Sequence, residues 1–348
     1  MNFAHMTLAT TGVLDTVLGI AVAIIALLFM VVIHEFGHFI VGRLFGFKIN
    51  EFAIGFGPSI FKKNMKSGTV FSLRPIPLGG FCAFEGEDDD SANPDAFNNK
   101  KPWQRLLVLF AGAFFNFMSA ILIISLTFTF YGDRMLVVTE QSMEQGAGEV
   151  GFELGDVIYA VDGVQLSFVQ PAPAVRQGQE ERTYSVLRDG ERFDIVRTLP
   201  SQDNSTGESS GFYLYYEPVR LSFFESFGRG FGTCFRLVGL ILESVGGLFT
   251  KDTSIEDMGG PVTVITMMGE SLSSGIGTFM YIVCLISANL AVMNLLPLPA
   301  LDGSRMVFVT IEWLRGKPVN RKVEGIIHFA GLVLLFAFAI LVDLIKVI

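Results

Sequence analysis

Charge is what this sequence has least of. Only 17% of its 348 residues are charged and 51% are hydrophobic, with a mean hydropathy of +0.51, whereas soluble domains carry about 25% charged residues. That deficit excludes intrinsic disorder and argues against an ordinary cytosolic enzyme. A net charge of −9 leaves no basic field for nucleic acid. Cysteine is scarce too: Cys82, Cys234 and Cys284 are odd in number and far apart, which excludes a disulfide framework and a cysteine metal knuckle. Residues 1–15 contain no Lys or Arg, so the first apolar run lacks the positive flank of a cleaved signal peptide and is read as a retained span.

What is present is long apolar runs. A helix needs about 20 mostly apolar residues to cross the ~30 Å hydrocarbon core. Four stretches qualify: 16–33, continuing past a polar interruption to 42; 106–132; 271–301; and 325–342. Eight of the ten lysines fall in loops 43–105 and 302–324, whereas 133–270 holds a single lysine, Lys251. The positive-inside rule then places both basic loops in the cytoplasm and 133–270 outside it.

The outer segment reads as a small folded domain over 133–220. Strand signals occupy 136–139, 156–161, 182–187 and 192–198, with turns expected at Asp162-Gly163 and Asp189-Gly190. The order resembles a bacterial PDZ domain, with Leu154, Gly155 and Asp156 in place of a Pro-Gly-Asp turn. Beyond it, over 221–270, Glu225, Arg229, Arg236 and Glu243 share one helical face among phenylalanines and leucines. An interfacial amphipathic helix is the first reading there, and a fifth span over 224–249 the alternative.

The polar interruption in the first span is His34-Glu35-Phe36-Gly37-His38. On a helix, positions i and i+4 share a face, so two imidazoles can hold one zinc ion beside a glutamate base. His34 falls roughly 25 Å along a core ~30 Å thick. Ionisable groups at that depth cost several kcal/mol unless paired, hydrated or metal-bound. The plain alternative is two interfacial histidines with a snorkelling glutamate. A catalytic zinc needs a third protein ligand, and the best candidate is Asp302. It follows Asn294-Leu-Leu-Pro297-Leu-Pro299-Ala-Leu at the cytoplasmic end of the third run, where two prolines break the helix. The plainer role for Asp302 is an N-cap for a helix starting at Gly303 and running to Arg315; the two roles are compatible, and the ligand role is the favoured one. His328 competes as a ligand, but a packed, hydrogen-bonded helix histidine is the simpler reading.

Together the two motifs and the inserted domain resemble the zinc site-2 intramembrane proteases, in the arrangement of the bacterial regulators of sigma-factor release. Lesser matches are Glu51-Phe-Ala-Ile-Gly-Phe-Gly-Pro58, Pro77-Leu-Gly-Gly-Phe81 and Gly259-Gly-Pro-Val262. One departure is Ala113, where the family often has proline three residues before an asparagine, here Asn116.

The resemblance implies an α-helical polytopic membrane protein of the bacterial plasma (inner) membrane. It would have four transmembrane helices, a membrane-associated β-hairpin at 46–81 and an inserted α+β PDZ-like extracytoplasmic domain. Residues 1–132 and 271–348 would form two halves of a membrane core. His34, His38 and Asp302 would hold one Zn2+ per chain, with Glu35 as general base. Asn294, Pro297 and Pro299 would hold an unwound substrate, and Gly79 and Gly80 would border a strand-pairing edge. The implied partners are membrane lipid and single-span membrane proteins, either anti-sigma factors or residual signal peptides. Two other classes fit parts of the pattern: a polytopic cation transporter, disfavoured because no half is repeated, and a silent PDZ-bearing scaffold, disfavoured by an intact Glu35.

Overall fold

The computed structural model describes residues 3–87, 89, 91–144, 146–166, 181–198, 215–250 and 259–347. Residues 167–180 and 199–214 of the expected inserted domain lie outside the described residues, as does the linker 251–258 with Lys251. The chain begins with α1 (Phe3–Leu44), β1 (Ile49–Phe56), β2 (Phe61–Asn64), β3 (Val70–Leu73), β4 (Ile76–Phe84) and α2 (Pro102–Phe130). Then come β5 (Asp133–Val137), α3 (Glu140–Glu144), β6 (Val157–Val161), β7 (Val164–Gln165), β8 (Glu181–Arg188), β9 (Glu191–Thr198) and β10 (Tyr215–Val219). Five helices follow: α4 (Phe223–Thr250), α5 (Pro261–Ser273), α6 (Ile276–Leu295), α7 (Asp302–Arg315) and α8 (Arg321–Val347).

The fold is mostly helical, and five helices are long and apolar enough to cross a membrane. They are Leu14–Leu44, Pro102–Phe130, Phe223–Leu248, Ile276–Leu295 and Arg321–Ile345. Four were expected, and α4 is the addition. The chain divides into two compact units, Met1–Ile123 with Leu237–Ile348, and Ile124–Arg236.

In the first unit, glycines set the helix crossings. A Cβ on Gly19 would lie 3.0 Å from the Gly269 carbonyl oxygen, and one on Gly37 would lie 2.5 Å from that of Ala111. Small residues let apolar helices approach to backbone contact, where dispersion rather than water exclusion holds them. Ala23, Met30, Met268, Phe279, Val283 and Ile286 fill the resulting α1–α5–α6 core. The expected third span over 271–301 holds one spanning helix, α6, and only the first three residues of that run belong to the end of α5. Gly275, at φ +114°, ends the run of α5 and starts α6, whose 20 residues rise about 30 Å and suffice to span. The Gly259-Gly-Pro-Val262 stretch opens α5, where Asp343 of α8 accepts from the Val262 and Thr263 amides at 3.0 and 3.2 Å.

The expected hairpin is also corrected. Within 46–81 the strand signals at Lys48–Ile54 and Thr69–Arg74 correspond to β1 and β3, which pair in parallel, and no tight turn can connect them. The additional strand β2 makes the hairpin with β3, and β4 pairs antiparallel with β1. The sheet order is β2-β3-β1-β4, so β4 is an edge. Phe39 of α1 meets Phe52 of β1 at 5.3 Å between ring centroids, anchoring the end of α1 to this sheet.

The second unit is a sheet of order β10-β5-β6-β8-β9, with β7 on β6. Its core holds Leu136, Phe152, Ile158, Tyr184 and Val186. The β8–β9 hairpin turns at Asp189 and Gly190, at φ +50° and +84°, the left-handed pair that a two-residue turn requires. The polar face of α4 is engaged inside this unit. Arg229 donates to Asp133 at 2.6 and 3.1 Å and to the Leu166 carbonyl at 2.7 Å, and Arg236 donates to the Gln165 carbonyl at 3.0 Å.

Asp133 is fully buried. Burial pushes its carboxyl above the ordinary range, and Arg229 opposes that shift. Arg229→Met leaves the carboxylate without its partner and lowers the calorimetric melting temperature of this unit by more than about 10 °C at pH 8. The loss shrinks as pH falls, because a carboxyl whose folded pKa is raised further favours folding only while protonated. Equal destabilisation at pH 5 and pH 8 contradicts this account.

Candidate active site

Two turns of α1 carry the polar interruption. His34 and His38 are 8% and 7% exposed, their Nε2 atoms 3.1 Å apart and their rings edge to face. Asp302 Oδ2 lies 3.0 Å from His34 Nε2 and 3.3 Å from His38 Nε2. Among the described residues this is the group of histidine, cysteine and acidic side chains that can share one metal ion. A tetrahedral zinc with ligands at about 2.0–2.2 Å needs donor atoms roughly 3.3 Å apart, so the donor set fits zinc. Asp302 is the first residue of α7, whose N-cap position is Leu301, and its carboxylate lies against the two histidines.

Asp302 reaches the histidines because α6 stops. Pro297 and Pro299 end the helix after Leu295, and Gly303 lets the start of α7 press on the freed carbonyls. A Cβ there would lie 2.4 Å from the Leu295 oxygen and 2.2 Å from that of Leu296. Pro297 itself is exposed. Pro299 packs on Gly331 of α8 rather than on the cluster, and a Cβ at Gly331 would come within 2.1 Å of it. His328 Nδ1 accepts from the Ala300 amide at 3.2 Å, the packed role expected of it. Asn294, in the last turn of α6, places Nδ2 3.3 Å from His34 Nδ1.

Glu35 shares a cavity of about 300 Å³ with His38, Asp302, Cys82 and Arg305. The Cys82 amide of β4 donates to the Glu35 carboxylate. Burial and the nearby Glu35 push the Cys82 thiol far up. Gly80 sits beside Glu35: a Cβ there would lie 3.8 Å from Glu35 Cγ. Gly79 is backed by the Phe56 ring and touches no cluster residue. In the second unit Leu154 is exposed and Gly155 has φ +90°. Asp156 pairs with Arg188 at 2.6 and 2.7 Å, a structural lock for the turn.

Three contributors were not singled out as site residues from sequence. His38 Nδ1 lies 2.7 Å from the Val108 carbonyl, and Asn116 Nδ2 lies 3.5 Å from His34 Nδ1. Gly112 faces the imidazoles: a Cβ there would lie 2.4 Å from His38 Nε2 and 2.7 Å from His34 Nε2. The sequence signal for Gly112 is its place in Ala111-Gly112-Ala113, a small-residue stretch inside a large-residue span and part of the family motif that ends at Asn116. Gly112→Ala is therefore expected to reduce bound zinc, measured by elemental analysis of purified protein, to less than about a tenth of the native content. Native zinc content in this variant contradicts the packing argument.

The model of peptidase family M50 matches residues 22–338. Relatives designated as candidate zinc metalloproteases cover nearly the whole chain. One from Fusobacterium nucleatum is 31% identical over 92% of this chain and 96% of its own. One from Clostridium perfringens is 31% identical over the same shares. A third, from Nostoc, is 32% identical over 92% of this chain and 93% of its own. With a donor set that fits zinc and helices fit to span a bilayer, this chain belongs to peptidase family M50 and is a zinc-dependent membrane metalloendopeptidase.

Proposed function

We propose that the protein cleaves a transmembrane segment of single-span membrane proteins at the His34–His38–Asp302 cluster, in regulated intramembrane proteolysis. The observation that carries this reading is one cavity joining Glu35, His38 and Asp302 at the end of an apolar helix. Three donors 3.0–3.3 Å apart are the ligands. When bound, zinc supplies Lewis-acid polarisation of the scissile carbonyl and lowers the pKa of water from 15.7 toward about 7. Glu35 takes the proton of the attacking water and returns it to the leaving amine.

A substrate helix hides its amides in i→i−4 bonds and must unwind before attack. The β4 edge, with Gly79 and Gly80 presenting no side chain, offers backbone donors and acceptors to an unwound strand. Asn294 stands at the cluster to hold that strand, while Pro297 and Pro299 keep the end of α6 open. Anti-sigma factors and residual signal peptides both satisfy this chemistry.

The topology that fits the charge distribution has four spans, α1, α2, α6 and α8, in a bacterial plasma membrane. Lysine-rich loops 43–105 and 302–324 are then cytoplasmic, as is the cluster. A fifth span would invert the 302–324 loop, so α4 lies along the interface, its arginines satisfied by protein groups. The 133–220 segment is the extracytoplasmic PDZ-like domain and screens substrate ectodomains.

The test uses full-length protein in detergent with a single-span substrate. Glu35→Gln lowers the cleavage rate by about 10²–10⁴-fold while zinc stays near one per chain. Replacing a helix-breaking residue near the cut by leucine slows the native enzyme. Undiminished cleavage by Glu35→Gln removes Glu35 as the base, and metal flux without cleavage in vesicles sinks the protease reading.

A further inference from the structure

The two histidines are supported differently on their far nitrogens. His38 Nδ1 faces a backbone carbonyl, that of Val108, at 2.7 Å. With Nε2 turned to the cluster, a neutral imidazole carries its proton on Nδ1 and needs an acceptor there. For His38 the backbone provides it. The recorded partners of His34 Nδ1 are two side-chain amides, Asn294 at 3.3 Å and Asn116 at 3.5 Å, each placed with its nitrogen toward the ring. An N–H facing an NH₂ is donor against donor. The orientation of an amide follows from its network, and rotation by 180° converts either contact into an acceptor.

Asn116 is the better placed of the two. It is fully buried, and its Oδ1 has no hydrogen-bond partner among the described residues. It is also held rigidly. Its carbonyl oxygen accepts from the Ser119 and Ser287 hydroxyls at 2.8 and 3.0 Å, and these hydroxyls lie 2.9 Å apart. That bracket ties α2 to α6. Asn294, by contrast, is half-buried in the last turn before the proline break. With its nitrogen toward the ring, the Asn116 amide leaves its oxygen end unpaired among the described residues. Such a group inside a span is an expense that calls for an explanation.

We propose that Asn116 is the positioning residue for His34. Its Oδ1, turned toward the ring, accepts the Nδ1 proton, fixes the tautomer that leaves Nε2 free for the metal, and releases Asn294 to engage substrate. This rests on the zinc-site reading and divides between two asparagines a task that the Val108 carbonyl performs alone for His38.

The experiment measures zinc affinity of the full-length protein in detergent, by competition with a chromogenic chelator, alongside steady-state cleavage. Asn116→Leu removes the acceptor and weakens zinc binding about 10–100-fold. Asn116→Asp keeps an acceptor and restores affinity to within about threefold of native. Asn116→Ser, which fits the site but is too short to reach Nδ1, behaves like the leucine variant and serves if that variant does not fold. Asn294→Leu leaves zinc affinity near native and raises KM. Native affinity in both Asn116→Leu and Asn116→Ser, or a loss in Asn294→Leu equal to that in Asn116→Leu, overturns the assignment. His34→Ala separates the two levels. If it retains native zinc, the zinc-site reading itself fails, whereas its loss of zinc beside unaffected Asn116 variants removes only the present inference.

Discussion

Polar atoms at membrane depth must find their partners inside the protein, because hydrocarbon offers none. His34, His38 and Asp302 meet that demand by converging on one point, and much of the first unit is arranged to let them. The far nitrogen of each imidazole is met by α2, through the Val108 carbonyl and the Asn116 amide. That support exists only if α1 and α2 run at backbone contact, which explains glycine at 37 and 112. At these positions a single methyl group would strike the Ala111 carbonyl or the imidazoles. Cavity space for a metal and close helix packing are thus one constraint.

The acid arrives by a different device. An unbroken α6 would carry its chain past the histidines, so Pro297 and Pro299 stop it and the chain reverses into α7. The reversal is strained: Ala300 sits at φ +75°, a left-handed conformation that costs a residue with a Cβ about 1–2 kcal/mol. That cost is offset locally, since the Ala300 amide donates to His328 and Pro299 beds on Gly331. Most of the large apolar side chains of α8 are exposed, among them Phe329, Leu334 and Ile340. Its inner contacts at His328 and Gly331 fix the turn that delivers Asp302.

Legibility from sequence followed the range of the interaction. The His-Glu-x-x-His spacing is local to one helix, so its geometry could be read directly. Asp302 could be ranked as its partner because both motifs end apolar runs at the same depth. The parallel pairing of β1 with β3 could not, since alternation marks a strand but not its neighbour, and β2 is too short and too exposed to stand out. The boundary between α5 and α6 falls at Ser273-Ser274-Gly275, near the start of the run, where hydropathy does not say how far the preceding helix extends. Gly112 drew no role from the sequence, and Asn116 entered only as the asparagine of a family motif. Their contribution depends on which face of α2 meets α1, a tertiary fact. The stripe on α4 shows the same limit: spacing puts Arg229 and Arg236 on one polar face, but does not reveal that their partners are Asp133 and backbone carbonyls.

The remaining charges of the first unit bear on the same point. Arg105 of α2 is 2% exposed and donates to Glu312 of α7 at 2.9 Å. Arg321 of α8 lies 3.6 Å from the same carboxylate, and Arg305 pairs with Glu87 beyond β4. Buried or partly buried ion pairs add little net stability, because desolvation consumes most of the Coulomb gain. Their value here is geometric. They fasten α7 to α2, α8 and the strand region, while Gly303 fastens its first turn to the end of α6. Asp302 sits at that first turn, where the helix N-terminus favours a carboxylate. A carboxylate carried at the start of a helix with a polar face is thereby held to a tolerance that apolar packing, which has no preferred azimuth, would not supply.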